Sequence, residues 1–411
     1  MKILYITPAF QHPQVRGPHR CYHFIRELSP RHEITLLTLK RSEIPPKALQ
    51  EVAAYLKEMR IIDAAGSGGS IEGENGGALG GLGRKLQNDA GFRAALAEMK
   101  QVFREMVRQR EYDLVLFHGK SVFPVIEDWK GLPIVIDFCD ATSMRFRDRM
   151  KFDGLLKRAL LIRRYREFKK IEKKLIAKSP HVAFISARDR DASLDQQNGT
   201  VSLSNRGFKI IPIGVDLEFW KRKTRNPGKR TIIFTGVMNY RPNEDAALYL
   251  IKEILPRALP KLPDLEVLIV GRDPTAALKQ AAATYPKNVV VTGFVEDVRT
   301  YLERAALFVA PIRYGSGIQN KVLEALAMEV PVLCTPVVAD GLLIDEQKQP
   351  PVRVAEGAEK FAAELARLLG QPEELAGLAR QGREYVEQHF VWSHSAELLE
   401  KMCLEAVAVS R

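Results

Sequence analysis

The chain has 411 residues, 46% of them hydrophobic and 27% charged, with a formal net charge of +12. That length is too great for one ordinary core and suits two domains, with the composition of a globular protein rather than a disordered or fibrous one. No run of about 18 apolar residues occurs, so no transmembrane helix is expected, and four scattered cysteines without a Cys-x-x-Cys pair argue against a disulfide framework or a thiolate zinc site.

The chain opens at once on an apolar strand, Lys2 to Thr7, too short for the core of a signal peptide, so a cytoplasmic protein is expected. Further strands are predicted over 33–39, 58–62, 114–117, 134–138, 182–185 and 210–213. Helices are predicted between them over 19–28, 46–56, 91–109 and 155–177. Such alternation indicates a parallel sheet covered on both faces. The glycine-rich stretch 64–83 breaks the rhythm and reads as a flexible surface insertion. A polar linker, 221–230, precedes a second alternating half. Its strands fall at 231–235, 266–270, 289–292, 307–310, 332–334 and 351–354, and its helices near 245–258, 276–283, 298–305, 319–328, 357–369 and 372–388. A last helix follows the bend Phe390-Val391-Trp392. The expected fold class is therefore α/β, with two doubly wound, Rossmann-like domains over 1–215 and 216–389 and a terminal helix over 390–411. Ligands of such sheets bind beyond the carboxyl ends of the strands, here in the cleft between the domains.

Charge is concentrated. Between Arg145 and Lys178 there are fourteen Lys or Arg and four acids, an excess of ten. Leu161, Tyr165, Phe168, Ile171 and Leu175 recur at helical spacing through this stretch. A basic amphipathic helix is either a solvated face or a docking face for anionic lipid. Nucleic acid is not expected as a partner, because no zinc finger, RNP-like signature or basic–aromatic repeat is present.

The most informative segment is Phe308-Val309-Ala310, then Gly315-Ser316-Gly317, then Ile318-Gln319-Asn320-Lys321. It reads as a buried strand, a turn with almost no side chain, and a helix start. The free N–H groups and positive dipole end of such a helix suit a diphosphate. Lys321 sits in the first turn, and Glu324, one turn on, is placed to accept from ribose hydroxyls.

The longer pattern Gly-x-Gly…Lys321-x-x-Glu324-Ala-x-Ala…Pro331-Val332 resembles the donor site of family 4 glycosyltransferases, which have the GT-B fold. The resemblance implies transfer of a sugar from a nucleotide donor with retention of configuration, without a required metal or cofactor, and a C-terminal helix crossing back onto the N-domain. Two departures stand out. Ser316 occupies the position of the first of two family glutamates, and Val237 stands where many relatives place an arginine after Gly236.

Residue by residue, the resemblance implies that Gly17 lets the first loop close on phosphate, and that the loop carrying Gly236, Asn239 and Arg241 meets the diphosphate. It sets Gly293, Phe294 and Val295 beside the base, and Gly315, Ser316, Gly317, Ile318 and Glu324 around the phosphates and ribose. Lys321 and Arg241 are the cations expected to act on the leaving group. His118 and Asp140, at the ends of two N-domain strands, are the expected catalytic pair on the acceptor side. No residue spacing suggests a metal site. The expected function is glycosyl transfer to a glycan or lipid-linked acceptor in polysaccharide or glycolipid biosynthesis, with peripheral attachment to the inner face of the cytoplasmic membrane. A degenerate sugar-nucleotide binder and a sugar-nucleotide epimerase are the alternatives.

Overall fold

The computed structural model describes residues 1–15, 19–64, 81–151, 154–194, 207–224, 228, 230–315, 317–344 and 349–410. It contains two wholly parallel sheets. The first holds β1 (Lys2–Thr7), β2 (Glu33–Lys40), β3 (Glu58–Asp63), β4 (Leu114–His118), β5 (Ile134–Cys139), β6 (His181–Phe184) and β7 (Gly207–Ile210). Their spatial order is β3-β2-β1-β4-β5-β6-β7. The second holds β8 (Thr231–Thr235), β9 (Glu266–Val270), β10 (Val289–Gly293), β11 (Leu307–Ala310), β12 (Val332–Cys334) and β13 (Arg353–Val354), ordered β10-β9-β8-β11-β12-β13. This is the two-domain α/β architecture expected from the sequence.

The apolar runs explain the sheets. In β1, Ile3 and Tyr5 point to one face and Leu4 and Ile6 to the other, and none is more than 1% exposed. A strand buried on both faces has no polar side to alternate with, which is the mark of a parallel sheet under two helical layers. Each sheet starts in its middle strand, runs to one edge, then crosses to the other side. The reversals lie between β1 and β4 and between β8 and β11, and a crevice opens beyond the strand ends at such points.

The final helix, Trp392–Ser410, crosses back onto the N-domain, where it packs on helix Arg20–Leu28 and across β4, β5 and β6. Its start is pinned where Val215 pairs with Val391. A side chain on Gly214 would stand 2.3 Å from the Trp392 nitrogen, so the two crossing segments approach only because that residue is glycine. Trp392 stacks on His23 with ring centres 4.2 Å apart, and Glu400 accepts from Arg31 at 2.8 Å and meets His32 at 2.6 Å.

Several boundaries move. Ala64 is buried, residues 81–83 belong to helix Gly81–Gln109, and 65–80 of the expected insertion lie outside the described residues. The strand expected at 210–213 is Gly207–Ile210, because Ile211 and Pro212 lend their carbonyls to Arg20. Helices Thr142–Arg149 and Pro336–Leu342 were not expected.

Candidate active site

Three strand ends of the C-domain build one cavity. Gly236 follows β8 and Gly271 follows β9, both with positive φ, and a Cβ on Gly271 would lie 1.8 Å from the Gly236 carbonyl oxygen. The loops therefore lie backbone against backbone, with the Gly236 N–H donating to Val270 at 3.1 Å. Beyond them opens a cavity of about 350 Å³, walled by Gly236, Arg272, Phe294 and Val295 and floored by Lys321 and Glu324.

The floor is the first turn of helix Asn320–Ala327. No side chain caps that helix, so its leading N–H groups stay open to a ligand. The Lys321 ammonium donates to Asn243 Oδ1 and lies 4.9 Å from the centre of the Phe234 ring. Asn243 in turn donates to the Val237 carbonyl at 3.0 Å, which ties the lysine to the β8 loop. Burial pushes Lys321 down to about 7, and the nearby Glu324 carboxylate only partly opposes it. Burial likewise pushes Glu324 up to about 7 against the pull of Lys321. Both groups are thus poised to gain from a ligand that brings charge or hydroxyls. At the rim, Phe294 is 74% exposed, following Gly293 with its φ of +72°.

The structure brings Gly236, Phe294, Val295, Lys321 and Glu324 together around this cavity. Asn239 and Arg241 are not among the lining residues; Arg241 is half exposed and pairs with Glu244 at 3.4 Å. The second cation lining the cavity is Arg272, which sequence reading passed over although it follows a strand and a glycine. Asn243 was also missed, since an Asn early in a helix carries no signal of its own. Gly315 and Ile318 are buried, and Gly317, with φ of +69°, faces the N-domain. Gly17 and Ser316 lie outside the described residues.

The facing edge of the N-domain is organised differently. Asp137 is wholly buried and accepts from Arg20 at 2.9 and 3.0 Å; His118 Nδ1 is 2.9 Å from it. Arg20 also donates to the carbonyls of Ile211 and Pro212, each at 2.8 Å. Burial opposes the Asp137 charge, yet Arg20 and His118 hold its carboxyl well below the usual range. Burial also opposes an imidazolium at His118, but Cys21 and Asp137 push that group up to about 10. His118, expected in catalysis, is therefore a buried partner in an ion network that fastens β4, β5 and helix Arg20–Leu28 together.

Asp140 does reach the gap. The ladder between β5 and β6 shifts between Asp137 and Cys139, and Cys139 has φ of +63°. Such a bulge re-aims the residues after it. Asp140 Cβ lies 3.5 Å from where a Cβ on Gly317 would stand. Lys120 steadies it, donating to Phe138 O at 3.1 Å and lying 3.7 Å from the Asp140 carboxylate. Among the described residues no three His, Cys, Asp or Glu side chains converge as metal ligands.

Residues 229–371, which carry the whole cavity, match the sequence model of the family described as Glycosyl transferases group 1. A phosphatidyl-myo-inositol mannosyltransferase of Mycolicibacterium smegmatis is 28% identical over 195 residues, 44% of this chain and 48% of that one. A putative teichuronic acid biosynthesis glycosyltransferase, TuaC of Bacillus subtilis, is 31% identical over 156 residues, 34% of this chain and 36% of that one. The chain thus spans about half or less of the length of these curated relatives. In fold it is similar to Anabaena HepE, solved with UDP and glucose, with a TM-score of 0.64 at 13% identity, over 98% of this chain and 100% of that one. The chain has GT-B architecture, and within its second half residues 229–371 match the group 1 glycosyl transferase model.

Proposed function

We propose that this chain is a retaining glycosyltransferase that moves a sugar from a nucleotide-diphosphate sugar to a hydroxyl of a glycan or lipid-linked acceptor. The observation that carries the reading is the cavity itself: an uncapped helix start, a lysine and an arginine, and a carboxylate one turn along, enclosed by two abutting glycine loops. In this reading the diphosphate rests on the leading N–H groups of helix Asn320–Ala327, with Lys321 and Arg272 meeting the charge that grows as the bond to the sugar breaks. Glu324 accepts from the ribose hydroxyls, and the base lies against Phe294 and Val295. The leaving diphosphate oxygen takes the acceptor proton on the face it departs from, which retains configuration and calls for no metal. Asp140, across the gap, attends the sugar or acceptor.

The relatives support the class of reaction: one is named for a phosphatidylinositol acceptor, another for a cell-wall polymer, and HepE was solved with UDP and glucose. We place the protein on the inner face of the cytoplasmic membrane. Helix Leu155–Lys178 leaves Lys157, Arg158, Arg166, Lys170 and Lys173 exposed, together with a half-exposed Leu160, a basic surface complementary to anionic headgroups. Among the described residues no helix is long and apolar enough to cross a membrane.

The test is a panel of UDP-, GDP-, ADP- and TDP-sugars, read by thermal shift and by donor hydrolysis. One base class should stabilise the protein, and slow hydrolysis should release a sugar with the donor's anomeric configuration. Binding without turnover would favour a sugar-nucleotide binder, an isomerised donor would favour an epimerase, and no stabilisation by any donor would end the reading. Vesicle co-sedimentation, with and without charge reversal at Lys157, Arg158 and Lys170, tests the membrane face.

A further inference from the structure

The glycine turn of the C-domain is held from the other domain. Asp189, in helix Ala187–Leu194, is wholly buried. Its Oδ2 accepts from the Ser186 hydroxyl, whose oxygen accepts from the Asp189 N–H at 3.1 Å; that reciprocal pair is a helix-start cap. Capping leaves Oδ1 unaccounted for. Oδ1 accepts from the Ala141 N–H at 2.8 Å, within the N-domain, and from the Gly317 N–H at 3.2 Å, across the cleft. One oxygen therefore ties the residue after Asp140 to the turn beside the candidate diphosphate seat. The neighbouring Arg188 makes a second link, donating to Val337 O at 3.2 Å while Asp148 holds it at 3.0 Å.

This link is separable. The bonds to Ala141 and Ser186 stay within the N-domain and survive any movement of the C-domain, whereas the bond to Gly317 exists only when the lobes meet. Burial, and the Asp140 charge beside it, push the Asp189 carboxyl up to about 6, so its seat is costly unless its donors are in place. The cavity, by contrast, is lined by C-domain residues alone and does not need closure to form.

We propose that Asp189 is a positioning residue that clasps the closed form: by joining Ala141 to Gly317 it brings Asp140 to the donor turn, so the reactive geometry exists only when the lobes have met. The proposal rests on the glycosyl-transfer reading above. Asp189→Ala should bind free nucleoside diphosphate as the wild type does yet lose about 100-fold in kcat, the scale of a small misplacement of reacting groups. Asp189→Asn keeps an oxygen where Oδ1 lies and should restore most of the turnover. Distances between spin labels on the two lobes, measured with and without the nucleoside diphosphate of the preferred donor, should show Asp189→Ala shifted to longer separations. Should that variant not fold, Asp189→Ser, whose short side chain can still meet Ser186 but not Gly317, should lengthen the same distances. Wild-type kcat with wild-type distances in a folded Asp189→Ala, or wild-type distances in Asp189→Ser where it stands in, would overturn the clasp and leave Asp189 a helix cap. If the wild type turns over no donor, the transferase reading fails, but the label distances still decide whether the clasp exists.

Discussion

The two sheets present their carboxyl edges to one gap but spend their polar groups in opposite ways. On the N-domain edge, Arg20, Asp137 and His118 satisfy one another and two backbone carbonyls in the interior. On the C-domain edge, Lys321 and Glu324 sit under an open cavity, each pushed toward neutrality by burial. A charge already neutralised by partners holds a scaffold together. A charge buried at a cost and facing open volume is a group kept for a ligand. That contrast separates His118, at the end of β4, from Lys321, in the first turn of helix Asn320–Ala327.

The contrast can be broken most forcefully at Asp137. Asp137→Ala strands the buried Arg20 charge and should destabilise the protein by about 3–5 kcal/mol; denaturant titration measures this, and a near-neutral result would mean the network is solvated. Lys321→Met should leave stability close to wild type and lower kcat roughly 10²- to 10³-fold, about 2.7–4 kcal/mol of barrier; unchanged steady-state kinetics would remove the lysine from leaving-group stabilisation. Glu324→Ala should weaken nucleoside diphosphate binding about tenfold, near 1.4 kcal/mol, as calorimetry would register; equal affinity would deny it the ribose.

The smallest effect is in pH. Lys321 titrates near 7 in the free protein, so kcat/KM should fall as pH rises past that value, and Lys321→Arg should flatten the alkaline limb. Stability responds with its own signs. Glu324, raised, makes the native state bind the extra proton between the usual carboxylate range and about 7, so its contribution falls as pH rises there. Lys321, lowered, makes the unfolded state bind the extra proton between about 7 and the usual lysine range, so stability recovers as pH rises through that window. Asp137, held low, contributes stability that is lost only as pH falls below the ordinary carboxylate range. A kcat/KM profile flat across neutral pH would contradict the open, costly charges of the donor edge.

Most of the fold was legible because a strand buried on both faces leaves no choice of residue: β1, β8, β9, β11 and β12 coincide with their apolar runs. The exit strand slipped because Ile211 and Pro212 are as apolar as a strand, while their carbonyls serve Arg20 rather than a ladder. Short polar helices such as Thr142–Arg149 carry too little periodicity to be seen. In the cavity, Lys321 and Glu324 were legible from their spacing after the glycine turn. Arg241 was expected there and Arg272 was not, because charge near a glycine loop says nothing about which way a side chain leans.

By itself the sequence determined the alternation of elements, the glycines where loops must touch, and the lysine and glutamate one turn apart on a helix. These are local matters, set by sterics and by the repeat of the backbone. Only the tertiary structure decided that Arg20 meets Asp137 across 117 positions and that Asp189 meets Gly317 across 128. Hydrogen bonds and ion pairs form wherever docking brings donor and acceptor within about 3 Å, and no local pattern records a partner that distant.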